Sequence, residues 1–201
     1  MIEILNIFYL LLISGIIFSF PLNNVYLKKK LSLAKLNLFE IYSFNILIIL
    51  TFFLIFSFFK IRLDLIFFSI LFLSLINFFY IDWKVFFDNF YLLIFFSLFY
   101  LVFSVEISTY PYLEWDSAVN WIFKTLNFKN NYTFQNLENV PGVLGYPHLG
   151  TYLWAFFWEV SFIDYEYTGR LSFIFIYLLI FFSIIERLKI NYLLKIIILI
   201  F

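Results

Sequence analysis

The chain is predicted to be an all-α membrane protein, a polytopic bundle of transmembrane helices with a juxtamembrane amphipathic helix in an outer loop. Three observations carry that prediction. Of the 201 residues 65% are hydrophobic and 13% charged, with a mean hydropathy of +0.99, against about 45–50% and about 25% in soluble domains. A core of this length cannot hide so much apolar surface, so lipid must be its solvent. The apolar residues also fall into runs of roughly spanning length, and between two of these runs the composition turns abruptly to polar and turn-forming residues.

A spanning helix needs about 20 mostly apolar residues. Such runs occur at Ile4–Phe20, Ile41–Phe59, Leu65–Tyr80, Val85–Val105, Leu149–Ile163 and Leu171–Ile185, which predicts six spans. Another run starts at Tyr192 and is still apolar at Phe201, so the chain is expected to be the N-terminal part of a larger protein, stopping inside its seventh helix. The first run has only Glu3 ahead of it and its cations behind it, the pattern of a retained anchor rather than a cleaved signal. The expected organisation is four helices in residues 1–106, an extracytoplasmic loop with its own helix in 107–148, and two helices with the start of a truncated seventh in 149–201.

Lys28, Lys29, Lys30 and Lys35 follow the first run, and short loops rich in cations stay in the cytoplasm. The expectation is a multi-pass protein of the plasma (inner) membrane with Met1 and the segment from Ser108 to Tyr146 outside. Alternation from there puts Arg170 inside, and Lys60, Arg62, Arg187 and Lys189 outside. Lys+Arg and Asp+Glu balance at 13 each, which excludes the basic surface of a nucleic-acid binder. Cysteine is absent, and with it disulfides, thiolate metal sites and cysteine nucleophiles.

The outer segment is where chemistry is expected. Pro111, Pro141, Pro147, Gly142, Gly145, Gly150 and the single histidine, His148, lie in it or at its edge. Unstructured loops this long are uncommon and usually functional. Read at helical period, Glu114–Phe128 puts Trp115, Ala118, Val119, Ile122 and Leu126 on one face and Asp116, Asn120 and Lys124 on another. The apolar stripe is expected to rest in the membrane interface and the polar stripe to face a cavity at headgroup depth. Asp116 is equally suited to capping the helix. Downstream, Pro147 suits the first position of a helix, which leaves His148 at the mouth of the fifth run. Glu159 lies within that run, where a charge needs a partner, water or a proton.

Taken in order, Glu114-Trp115-Asp116, Tyr146-Pro147-His148-Leu149 and Asp164-Tyr165-Glu166-Tyr167-Thr168-Gly169-Arg170-Leu171 resemble the N-terminal part of the polytopic GT-C glycosyltransferases. That group includes the protein O-mannosyltransferase and aminoarabinose-transferase types. His148 stands where the family pattern carries a second proline, and about three spans precede the family's usual first helix. The resemblance implies transfer of a sugar, with inversion, from a polyprenyl-phosphate-linked donor to a hydroxyl or amine on the outer side. In that scheme Asp116 is the base, with Glu114 in reserve. Lys124 and His148 face the leaving lipid phosphate, and Asn120 and Tyr146 contribute to donor binding. Glu114, Asp116 and His148 are also chemically suited to hold a divalent metal ion, and the sequence leaves open whether one is used. The alternative is a lipid-linked glycan flippase or another transporter. Such a protein keeps its polar groups near the membrane midplane, a description that Glu159 alone fits.

Overall fold

The computed structural model of the chain describes residues 2–30, 36–115, 117–130, 133, 148–188, 190, 194–195 and 197–198, with the side chains of Lys28 and Val119 excepted. Its elements are helical: α1 (Ile2–Ile17), α2 (Val25–Lys30), α3 (Leu38–Phe58), α4 (Leu63–Phe78), α5 (Trp83–Asp88), α6 (Phe90–Thr109), a π-helical turn at Ser117–Trp121, α7 (Ile122–Lys129), α8 (Leu149–Val160) and α9 (Tyr167–Arg187). Three of them, α3, α6 and α9, are long and apolar enough to cross a membrane, and α1 and α4 are shorter apolar helices. The protein is an all-α membrane protein.

Local chemistry sets the helix boundaries. Helix α3 begins three residues ahead of the predicted Ile41 because Asn37 and Glu40 form a capping box. The Asn37 side chain accepts from the Glu40 N–H at 2.7 Å, and Glu40 accepts from the Asn37 N–H at 2.9 Å. The run expected at Val85–Val105 is broken at Asn89, whose side-chain amide donates to the Val85 carbonyl at 3.0 Å and separates α5 from α6.

Helices α1, α3, α4, α6 and α9 run between two ends of the bundle in alternating directions. At one end, the lysine end, the chain leaving α1 meets the chain leaving α4: Val25 N–H donates to Tyr80 O at 3.0 Å and Asn24 pairs with Ile81. Asn45, fully buried on α3, accepts from Leu22 N–H at 2.9 Å and donates to Phe18 O at 2.8 Å. Backbone groups in an apolar medium need such partners. Arg187 at the close of α9 is paired with Glu40 there, at 2.6 Å. At the other end, the loop end, Arg170 donates to the carbonyls of Pro111 and Tyr112 at 3.0 and 3.1 Å. There Asn6 accepts from Ser161 Oγ–H at 3.1 Å and from Phe162 N–H at 3.2 Å.

These contacts correct the expected alternation. Helix α8 has 12 residues, a rise of about 18 Å against about 30 Å of hydrocarbon. It packs antiparallel on the first turns of α9 only, Gly150 lying against Phe173 and Trp154 against Gly169. Tyr152 hydrogen-bonds Ser57 in the last turn of α3. Helix α8 therefore lies beside the start of α9 and the end of α3, toward the loop end of the bundle. In consequence Arg170 shares an end with the segment leaving α6, and Arg187 shares an end with the α2 lysines. The seventh run falls mostly outside the described residues.

The core under α8 is aromatic. Phe156 meets Phe53, Phe67 and Phe18, and Phe18 meets Phe157 and Phe175, with ring centroids 5.0–6.5 Å apart. This cluster joins α1, α3, α4 and α9 beneath the short helix and holds it at a fixed depth.

Candidate functional site

The π-helical turn at Ser117–Trp121 leads into α7, which lies on α8. Trp115 is 75% exposed and Phe123 40% exposed, whereas Asn120, Lys124 and Thr125 are buried. Of the predicted apolar stripe only Trp115 is exposed among the described side chains, Ala118, Ile122 and Leu126 being half-buried, so that stripe faces outward only in part. The π-helical turn at Ser117–Trp121 interrupts the regular period assumed in reading the two stripes. Asp116, Tyr146 and Pro147 lie outside the described residues. Glu114 is exposed, and its carbonyl accepts from Ala118 N–H at 2.9 Å, opening the turn.

Two contacts fasten α7 to α8. Phe128 stacks on Tyr152 with centroids 3.8 Å apart and stands perpendicular to His148 at 6.5 Å. One residue on, Lys129 pairs with Asp164 at 2.9 Å and sits 4.9 Å over the Trp158 ring, while the Trp158 indole N–H donates to the same Asp164 oxygen at 2.7 Å. The hydrogen bond from Lys129, together with that from Trp158, holds the Asp164 carboxyl below its usual range.

Lys124 is 1% exposed, a lysine inside the protein rather than in solvent. Burial lowers its pKa. His148 caps α8, its carbonyl accepting from Tyr152 N–H at 3.0 Å and from Thr151 Oγ–H at 2.8 Å. Burial, and then the charge of Lys124, lower the pKa of His148. Lys124 and His148, 24 positions apart, are thus neighbours in the fold, with Asn120 one turn before Lys124.

Between the π-helical turn, α8 and α9 opens a cleft of about 330 Å³ lined by Ser117, Trp121, Gly150, Thr151, Trp154 and Phe173, near the lower bound of about 300–1,000 Å³ for small-molecule sites. Ser117, Thr151, Trp154 and Phe173 were not singled out from the sequence for this role. Serine and threonine inside an apolar segment carry no distinctive pattern, and the pairing of Gly150 with Phe173 depends on how α8 meets α9.

Arg170 is the other residue whose position the alternation misjudged. Its Nε lies 3.0 Å from the Glu166 carboxylate, and its terminal nitrogens hold the Pro111 and Tyr112 carbonyls, so α9 fixes the start of the segment leading to Glu114. The Glu166 carbonyl also accepts from the Trp154 indole at 3.3 Å. Burial raises the Glu166 pKa despite the opposing charge of Arg170.

Among the described residues no three His, Asp or Glu side chains lie close enough to hold a metal ion. Of the predicted trio Glu114, Asp116 and His148, Asp116 lies outside the described residues. The chain matches no family model, no curated protein and no solved structure.

Proposed function

We propose that the protein is a membrane glycosyltransferase acting at the loop end of the bundle, moving a sugar from a polyprenyl-phosphate donor to an acceptor hydroxyl or amine. The observation that carries the reading is the buried Lys124, whose charge bears on His148, on the same elements that line an aromatic and hydroxyl-bearing cleft. A cation and a hydrogen-bonding group held out of water suit a leaving phosphate, whose charge grows as the glycosidic bond breaks. Asp116, eight positions before Lys124, is the base that takes the proton of the acceptor. Glu114 is the reserve base, and Asn120 and Tyr146 contribute to donor binding. A divalent metal ion remains compatible with the carboxylates of Glu114 and Asp116.

The loop end faces away from the cytoplasm in this reading. Lys29, Lys30, Lys84 and Arg187 sit at the opposite end, and cations of short loops mark the cytoplasmic side. In this reading Arg187 joins the α2 lysines on the inner side, while Arg170 lies on the outer side with Lys60 and Arg62. The transport alternative loses its main support, since Glu159 is exposed in the last turn of α8 and lies at the loop end, not midway along a crossing helix.

The test is transfer of labelled sugar from polyprenyl phosphosugars by membranes carrying the full chain. Asp116→Asn is expected to abolish turnover with insertion intact, and Lys124→Met to lower it by about 10²–10³-fold, the cost of removing one preorganised group facing a developing anion. Unchanged turnover in Asp116→Asn removes that residue as the base. Loss of substrate flux in Glu159→Gln, with no transfer in the parent protein, supports transport instead.

A further inference from the structure

The lysine end of the bundle carries two helices of six residues, α2 and α5, each about 9 Å long and too short to cross about 30 Å of hydrocarbon. They begin side by side. Val25 N–H donates to Tyr80 O at 3.0 Å, Asp82 N–H donates to Asn23 O at 3.3 Å, and the Tyr26 and Tyr80 rings lie 6.1 Å apart. The Asn24 side-chain amide donates to Asn77 Oδ1 at 2.9 Å, which ties both starts to the last turn of α4. Helix α5 turns Val85 and Phe86 to the core, the Phe86 ring 6.2 Å from that of Tyr42. Its Trp83, Lys84 and Phe87 are exposed. On α2, Tyr26, Leu27, Lys29 and Lys30 are exposed as well. Aromatic and apolar side chains interleaved with ammonium groups suit the boundary between acyl chains and headgroups.

The cations of this end differ from those elsewhere. Arg62, Lys129, Arg170 and Arg187 each face a carboxylate of the chain, whereas Lys29, Lys30 and Lys84 form no ion pair among the described residues. Residues 24–35 hold four lysines and no acid, and residues 81–89 one lysine and two aspartates, a net charge of +3. Of the two aspartates, Asp82 is half-buried and Asp88 closes the far end of α5. We infer that α2 and α5 together form a binding surface for anionic phospholipids, with Lys29, Lys30 and Lys84 taking the headgroup phosphates and Tyr26, Leu27, Trp83 and Phe87 resting against the first carbons of the acyl chains. Because the two helix starts are bonded to one another, their lysines act on one stretch of membrane surface rather than two. The apolar neighbours select a lipid over a soluble anion, which gains nothing from Trp83 or Phe87. Each lysine close to an anionic membrane surface contributes about fivefold in affinity, the equivalent of about 1 kcal/mol.

This surface does not depend on the transferase reading, since none of its residues touches the loop end. Trp83 is a probe already in place, because Trp115, Trp121, Trp154 and Trp158 all belong to the segment after α6 or to α8. The full chain is placed in phosphatidylcholine nanodiscs at low salt with rising fractions of phosphatidylglycerol brominated in the upper acyl chain, or of phosphatidylcholine brominated the same way. Quenching of Trp83 is the difference between the parent and Trp83→Phe. Half-quenching is expected at a fraction of phosphatidylglycerol at least about fivefold below that of phosphatidylcholine, the contribution of a single lysine. The preference is expected to vanish in the combined Lys29→Gln, Lys30→Gln, Lys84→Gln variant, to persist when the same three become Arg, and to persist in Lys60→Gln at the loop end. Salt raised to about 0.5 M is expected to erase it in the parent, a result that holds even where the glutamine variant does not insert. Equal quenching by the two lipids overturns the inference. So does a preference that survives the glutamine variant or high salt, one lost equally in Lys60→Gln, or the same preference among the four other tryptophans.

Discussion

Gly169 decides how close α8 can come to α9, and replacing it measures what that closeness is worth. A methyl group built on Gly169 lies under 3.0 Å from the Trp154 ring and from the Trp154 backbone carbonyl oxygen, where ordinary contact begins near 3.4 Å. The ring can swing aside, but the carbonyl cannot move without its helix. Gly169→Ala must therefore push α8 outward by several tenths of an ångström or more, and overpacking of this kind costs about 1–3 kcal/mol. Small residues at helix crossings matter particularly in membrane proteins, where packing rather than water exclusion holds helices together. At about 2–4 °C per kcal/mol for a chain of this size, a loss of about 2 kcal/mol lowers the unfolding midpoint by about 4–8 °C. The assay is thermal unfolding in nanodiscs followed by tryptophan fluorescence. Gly150→Ala is the control, because its methyl would meet only Phe173 Cε1 at an ordinary 3.6 Å and is expected to change stability by no more than about 0.5 kcal/mol. Equal stability of the two variants refutes the argument that this glycine permits the α8–α9 approach.

Two further expectations follow from the geometry. The chain has no cysteine, so single cysteines can be placed without background: Tyr112→Cys and Tyr165→Cys are expected to react with an impermeant maleimide from the same side of sealed vesicles, and Lys29→Cys from the other. Opposite reactivity of the first two restores α8 as a crossing helix. For pH, burial and Lys124 hold His148 below its ordinary value near 6.5. The unfolded chain then binds the proton more readily than the folded one, so His148 contributes stability that is fully present above pH ~6.5 and is lost as pH falls through its folded value. Unfolding midpoints measured from pH 7.5 to 5 are expected to drop more steeply in the parent than in His148→Asn, and parallel curves dismiss the histidine as the source.

Much of this architecture was legible in composition and spacing. Apolar runs must lie in lipid wherever they fold, so five of the six predicted runs locate helices that pass between the ends of the bundle, with boundaries shifted by local features such as the Asn37–Glu40 capping box. The polar stripe of Asn120 and Lys124 was likewise visible at helical period, because any helix over those residues brings them near one face. The influence of Lys124 on His148 was not, since nothing in a linear pattern measures proximity across 24 positions.

Composition and periodicity alone decided that this is a membrane protein, that it is helical, and that its prolines and glycines concentrate between the fourth and fifth apolar runs. Those properties are sums over local side-chain preferences and survive any rearrangement of the helices. The tertiary structure decided which end of the bundle Arg170 and Arg187 occupy and how Trp154 and Phe173 come to line one cleft. The reason is that an apolar stretch has the same hydropathy whether it crosses the membrane or turns back, and only the packing of Trp154 on Gly169 and of Tyr152 on Ser57 separates the two for α8.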